Sequence, residues 1–200
     1  MNDVPRRFPP GVPTDVWEPE GDPVGLGVVL PGRGYPPSAP ACAYAGYALL
    51  AAGWRVRDVW WDPPANGLLS IDDEVGWVGD QLASATADVT GPVFVVGKSL
   101  GTYAARLAAE RSYPAIWLTP VLTEPALVEA IRANPARQLL VGGTEDRLWD
   151  ADVAASLAAD RCDVLQLDGL THGLVDPADP VRSAEALVES TRAMVRFVAA

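Results

Sequence analysis

Residues 93–103 read VFVVGKSLGTY and place a serine between glycines two positions away on each side. Two chemistries use residues of this kind. Gly97-Lys98-Ser99 matches the end of a phosphate-binding P-loop. Gly97-Lys98-Ser99-Leu100-Gly101 matches the G-x-S-x-G turn that presents a nucleophilic serine. The P-loop pattern requires a glycine five positions before Gly97, and Pro92 stands there. The residues between Gly91 and Gly97 are Pro-Val-Phe-Val-Val, which make a strand and not a loop of amides turned toward an anion. The nucleophile turn instead needs a strand running directly into it and a helix after it, and both are expected here.

A serine hydroxyl is a poor nucleophile until a base takes its proton, and histidine suits that task near neutral pH. The chain has one histidine, His172, in DGLTHG, just past the last predicted strand. An acid that orients the imidazole completes the set. In the order serine, acid, histidine, the segment LLVGGTEDRLWD is its source. Asp146 lies in the loop after the strand and is the favoured acid. Glu145 competes with it, Asp150 suits a helix cap, and Asp168 is only four residues from the histidine. Two amide donors are needed for the developing oxyanion. Leu100, after the serine, supplies one. The glycine-bracketed turn Pro31-Gly32-Arg33-Gly34-Tyr35 supplies the other, through Arg33 or Gly34.

These residues need a scaffold that brings them together. Apolar runs rich in Val, Leu and Trp alternate with Ala-rich helical stretches. Strands are predicted at Leu26–Leu30, Arg55–Trp60, Val93–Val96, Ile116–Thr119, Gln138–Val141 and Val164–Leu167. Helices are predicted at about Ala39–Ala52, Ile71–Val89, Leu100–Arg111, Pro125–Ala133, Ala151–Ala159 and Pro180–Val198. The alternation implies an α/β fold: a three-layer α/β/α sandwich around a mostly parallel sheet of about six strands. Residues 1–23, rich in Pro, Gly and charge, read as an irregular lead-in with a short strand near Thr14–Trp17, and residues 24–200 as one domain. In such a sheet active-site residues gather at the carboxyl ends of strands. The serine, Asp146, His172 and the 31–35 turn all follow predicted strands.

Composition narrows the classes. The net charge of −11 over 200 residues disfavours non-specific contact with nucleic acid or anionic membranes. The chain has no uncharged apolar run of about 18 residues, so no membrane span is expected. MNDVPRRFPPGVP lacks the apolar run of a signal peptide, and a cytoplasmic location is the default expectation. Cys42 and Cys162 have no metal-site or disulfide spacing and read as buried free thiols. Neither a metal nor a cofactor is called for, and the sequence carries no signal of oligomeric state.

With LPGRGY, VVGKSLGT, VGGTEDRLW and LTHGL in this order, the chain resembles the α/β-hydrolase superfamily from about Leu26 to Val198. The resemblance implies a nucleophile at Ser99, an acid at Asp146 and a base at His172. It also implies an oxyanion site made by Leu100 with the Gly32, Arg33 and Gly34 turn. The implied activity is cleavage of a small-molecule acyl substrate, an ester or related bond, without cofactor. Only Val121–Arg137 separates two strands where many relatives insert a lid, so the resemblance is to a small, lidless member. The G-K-S-L-G variant is similar to small dienelactone-hydrolase-like and predicted esterase subfamilies. The usual His-Gly opening of the oxyanion loop is Pro31-Gly32 here. Lys98 could bind an anionic substrate group, pair with a nearby acid or be solvated. Trp61 and Trp149 are the tryptophans expected to line a pocket. A non-catalytic interaction domain on the same fold is the second hypothesis, and a P-loop-like nucleotide binder the third.

Overall fold

The computed structural model describes residues 15–67, 69–160 and 162–200. Seven strands form one sheet in the order β1-β3-β2-β4-β5-β6-β7. They are β1 (Asp15–Trp17), β2 (Leu26–Leu30), β3 (Arg55–Asp58), β4 (Val93–Lys98), β5 (Ala115–Leu118), β6 (Gln138–Gly143) and β7 (Cys162–Leu167). All neighbours pair in parallel except β1, which runs antiparallel to β3. The sheet thus recruits three residues of the lead-in as an edge strand.

The helices are α1 (Pro40–Ala51), α2 (Ile71–Ala85), α3 (Ala105–Arg111), α4 (Pro125–Ala133), α5 (Ala151–Ala159) and α6 (Pro180–Ala199). Their starts carry the expected chemistry: Ser70, Asp150 and Asp179 each accept amide hydrogen bonds of the first turn. The two-residue period of the strands sorts their side chains between two cores. Leu26, Val28, Leu30, Val93, Val95, Trp117 and Leu140 pack with α2, α3, α4 and α5. Val29, Phe94, Val96, Ile116, Leu118, Leu139 and Val141 pack with α1 and α6. The result is the sandwich expected from the uninterrupted apolar runs.

The predicted helix Leu100–Arg111 is two pieces, a 3-10 helix over Ser99–Ala104 followed by α3. The tighter winding follows from the turn that precedes it. Ser99 has φ +50°, and the Thr102 hydroxyl donates to the Ser99 carbonyl at 2.5 Å. The predicted helix Ile71–Val89 ends at Ala85, where the Thr86 hydroxyl donates to the Leu82 carbonyl at 2.9 Å.

Chain reversal places two loops side by side. From β2 the chain crosses to β3, then returns past β2 to β4. The loops after β2 and β4 therefore open at the switch point of the sheet, where a crevice forms. Here backbones touch. A Cβ on Gly101 would lie 2.2 Å from the Leu30 carbonyl oxygen and 2.9 Å from that of Pro31. A Cβ on Gly97 would lie 2.6 Å from the Gly101 carbonyl oxygen. By contrast Gly76 is exposed in α2, with nothing within 4 Å of an added Cβ. Chemical denaturation should separate the two kinds of glycine. Gly101→Ala should lose about 3 kcal/mol or more, because the obstruction is backbone that cannot repack. Gly76→Ala should gain about 0.5–1 kcal/mol through lower entropy of the unfolded chain.

Candidate active site

Strand β4 delivers Ser99 to the crevice at its carboxyl end. A positive φ is costly for a residue with a Cβ and persists only where the surroundings enforce it. The surroundings are the glycine contacts just described. They turn the Ser99 side chain out of the sheet, where it is half-buried.

The acid and the base come from the two adjacent strand ends, β6 and β7. Gly142 and Gly143 close β6 because nothing larger fits. A Cβ on Gly142 would lie 2.0 Å from the Trp149 ring, and one on Gly143 would lie 2.1 Å from the Leu170 carbonyl oxygen. The two turns are also stitched by main-chain bonds, with the amides of Thr144 and Glu145 donating to the carbonyls of Leu167 and Leu170, each at 3.0 Å. The turn that follows β7 closes on itself, as the Thr171 amide and hydroxyl both donate to the Val175 carbonyl.

These turns bring three side chains into one line. His172 Nε2 lies 2.7 Å from Ser99 Oγ, and His172 Nδ1 lies 2.8 Å from Asp146 Oδ2. A carboxylate only accepts, so Nδ1–H donates to Asp146, which leaves Nε2 free to accept the serine proton. Asp146 is fixed by a second bond, with its Oδ1 accepting from the Leu148 amide at 2.9 Å. Its side chain is 1% exposed, whereas that of His172 is 36% exposed. Asp146 sits in the interior and His172 is partly open to solvent.

The other acids weighed from the sequence lie elsewhere. Glu145 is exposed. Asp150 caps α5, accepting from the Asp152 and Val153 amides at 3.0 Å. Asp168 accepts from the Thr144 hydroxyl at 3.2 Å and holds the acid turn.

The 31–35 turn lies against the nucleophile. A Cβ on Gly32 would lie 3.4 Å from that of Ser99. The Gly32 amide donates to the Tyr35 carbonyl at 3.1 Å, so it is not an oxyanion donor. The Arg33 side chain has its partners outside the turn. It bonds Glu74 of α2 at 2.5 Å and the Pro64 carbonyl, tying down the turn whose Arg33 and Gly34 amides remain.

Lys98 departs from every role considered for it. Its position on β4 has the parity of Phe94 and Val96, which points its side chain toward α1 and away from solvent. It is 1% exposed. Nζ donates to Thr119 Oγ1 at 2.6 Å and to the His172 carbonyl at 2.8 Å, and lies 5.0 Å from the centre of the Tyr35 ring. It is therefore neither solvated nor available to an anionic ligand, which also removes the P-loop reading. Thr119 and Tyr35 are residues that sequence reasoning missed. Nothing in the local pattern marks their contact with the buried ammonium.

The tryptophans divide as well. Trp149 is core, with its ring over Gly142 and its Nε1 donating to Gln166 Oε1 at 2.8 Å. Trp61 packs on Trp77 at 5.0 Å between ring centres, against the α2 core.

No family model and no curated protein matches the chain. Solved structures do. An alpha-beta serine hydrolase homologue from Coxiella burnetii superposes with a TM-score of 0.70 at 15% identity, over 90% of this chain and 88% of that one. Est1E from Butyrivibrio proteoclasticus, with ferulic acid bound, gives 0.70 at 14% identity over 92% and 93%. A serine hydrolase without a lid from Xanthomonas campestris gives 0.60 at 17% identity over 92% and 86%. The chain has the α/β-hydrolase fold. In the α/β-hydrolase fold seen here, only α4 and its flanking turns join β5 to β6, so no separate cap domain covers the crevice at that point.

Burial of Lys98 has a measurable consequence. Desolvation pulls its ammonium from the ordinary 10.5 down to about 8, against the opposing pull of the Cys42 and Asp146 charges. Between these two values the unfolded chain binds more protons than the native state, so stability rises with pH across that window. The thiols act oppositely above pH 9, since burial pushes Cys42 up to about 12 and Cys162 up to about 11. Up to pH 9 both native thiols stay protonated, and removing the Lys98 charge only pushes Cys42 further up, so over that range the difference between wild type and a Lys98→Met variant isolates the lysine. Urea denaturation at pH 7.5 and pH 9 should show wild type gaining about 1 kcal/mol on Lys98→Met across that interval.

Proposed function

We propose that the protein is a serine hydrolase that cleaves carboxylic esters or related acyl bonds of small molecules through an acyl-enzyme. The observation that carries this reading is the unbroken line Ser99 Oγ, His172 Nε2 at 2.7 Å, and His172 Nδ1 to Asp146 Oδ2 at 2.8 Å. Ser99 attacks the substrate carbonyl while Nε2 takes its proton. Asp146 holds the productive tautomer and stabilises the imidazolium that forms. The tetrahedral oxyanion meets the Leu100 amide and an amide of the 31–35 turn, that of Arg33 or Gly34. Each such donor is worth about 10²–10³ in rate. His172 then returns the proton to the leaving group, and water, activated by the same base, releases the acyl product.

The similar folds support the class of reaction. They include a lidless serine hydrolase and Est1E, which holds ferulic acid. An open crevice suits small acyl esters and thioesters, which need no lid to be engulfed.

A fluorophosphonate probe tests the reading directly. Wild type should label stoichiometrically, and Ser99→Ala should not label at all. Asp146→Asn should keep the fold but lower kcat/KM on a p-nitrophenyl acyl ester by about 10³–10⁴, because the imidazole then adopts the wrong tautomer. Absence of labelling in wild type, or equal labelling of Ser99→Ala, would favour a non-catalytic interaction domain.

A further inference from the structure

We propose that Lys98 is a positioning residue for the base, holding the turn that carries His172 against the nucleophile elbow through its buried ammonium. The inference rests on reading Ser99, Asp146 and His172 as a catalytic set.

Three features of the geometry carry it. An ammonium has three donors and no acceptor. Two of these reach Thr119 Oγ1 at 2.6 Å and the His172 carbonyl at 2.8 Å, and the Tyr35 ring takes the charge on a further side at 5.0 Å. One of the two oxygen partners is thus the main chain of the base itself. The lysine also immediately precedes the nucleophile. A single side chain therefore links Ser99's strand to His172's turn, in addition to the imidazole's own bond to Ser99. Finally, its other anchor is built at a conformational cost, since Thr119 is buried with φ +43°.

A structural role alone does not account for this choice. The slot lies between a strand end and α1, and a methionine would fill it without desolvating a charge. What only the ammonium adds is a set of directed donors. Among the described residues facing it, no carboxylate forms an ion pair with it. The Cys42 thiol of α1 and the Tyr35 phenol are both held protonated by burial. The His172 ring is committed to Ser99 and Asp146. Asp146 is the carboxylate whose charge favours the cation, and it does so from beyond ion-pair distance. The lysine and Asp146 accordingly grip the base from two sides, one by its main chain and one by its ring.

The full chain allows a clean test, because His172 is its one histidine and every imidazole signal reports on it. Wild type, Lys98→Met and Thr119→Val are compared on p-nitrophenyl acetate and by NMR with ¹⁵N-labelled histidine. In Lys98→Met, kcat should fall about 10²-fold, the scale of a misplacement near 1 Å, with KM changed by less than about threefold. The low-field Nδ1–H signal of the Asp146 bond should broaden or vanish. Thr119→Val leaves the ammonium in place with one anchor lost, and should shift both readouts the same way by about tenfold or less in kcat. An unchanged kcat and an unchanged imidazole spectrum in folded Lys98→Met would overturn the proposal, as would a lower stability with normal kcat per folded molecule. Should Lys98→Met fail to fold, the same two null results in Thr119→Val overturn it. If wild type shows neither turnover nor probe labelling, the hydrolase reading fails, while the imidazole spectra still decide whether Lys98 positions His172.

Discussion

The close approach of three backbones at the end of β4 is the constraint on which the site rests. Gly101 abuts the Leu30 and Pro31 carbonyls, Gly97 abuts Gly101, and Gly32 lies against Ser99. Side chains at these positions would separate the 3-10 helix from β2 and relax the turn. With them absent, Ser99 is held at φ +50° and its hydroxyl projects into the crevice. The same contact packs the 31–35 turn against Ser99, so one steric requirement shapes both segments.

A second close contact does the equivalent work for acid and base. Gly143 touches the Leu170 carbonyl, and the two turns share main-chain hydrogen bonds. Asp146 and His172, 26 residues apart, are thereby held side by side. That pair must still be registered to Ser99, and the sheet alone leaves β5 between them. Lys98 bridges the gap beneath β5's end, where Thr119 continues that strand. Burial of one cation and one anion in the same small region is costly to each alone, and each makes the other tolerable.

Much of this was legible from residue order. Apolar runs without polar alternation indicated a doubly covered parallel sheet, and strands such as Leu26–Leu30 begin and end where the pattern does. The loop after β6 could be named as the source of the acid, with Asp146 favoured and its neighbour Glu145 still competing. Other features were not legible, for identifiable reasons. The 3-10 segment Ser99–Ala104 has helical composition, and its tighter winding comes from the strained residue before it. Trp149 follows the acid turn, a place that suits a pocket wall, but the bare backbone of Gly142 leaves room for its ring in the core. For Lys98 the sequence leaves an anionic ligand, a nearby acid and solvent all open. Strand parity would have pointed it toward α1, yet parity says nothing of what waits there.

By itself, then, the sequence determined the element types, their order, and which residues stand at strand ends, because these follow from local periodicity and turn chemistry. It also determined that a serine, an acid and a histidine occur in a workable order. Tertiary structure decided the rest: which acid reaches the imidazole, which amide of the 31–35 turn is already spent, and what holds the ammonium of Lys98. Those outcomes depend on distances between segments up to 74 residues apart, as between Lys98 and His172. No local pattern encodes such a distance, because it is fixed only when close backbone contacts bring separate strand ends together.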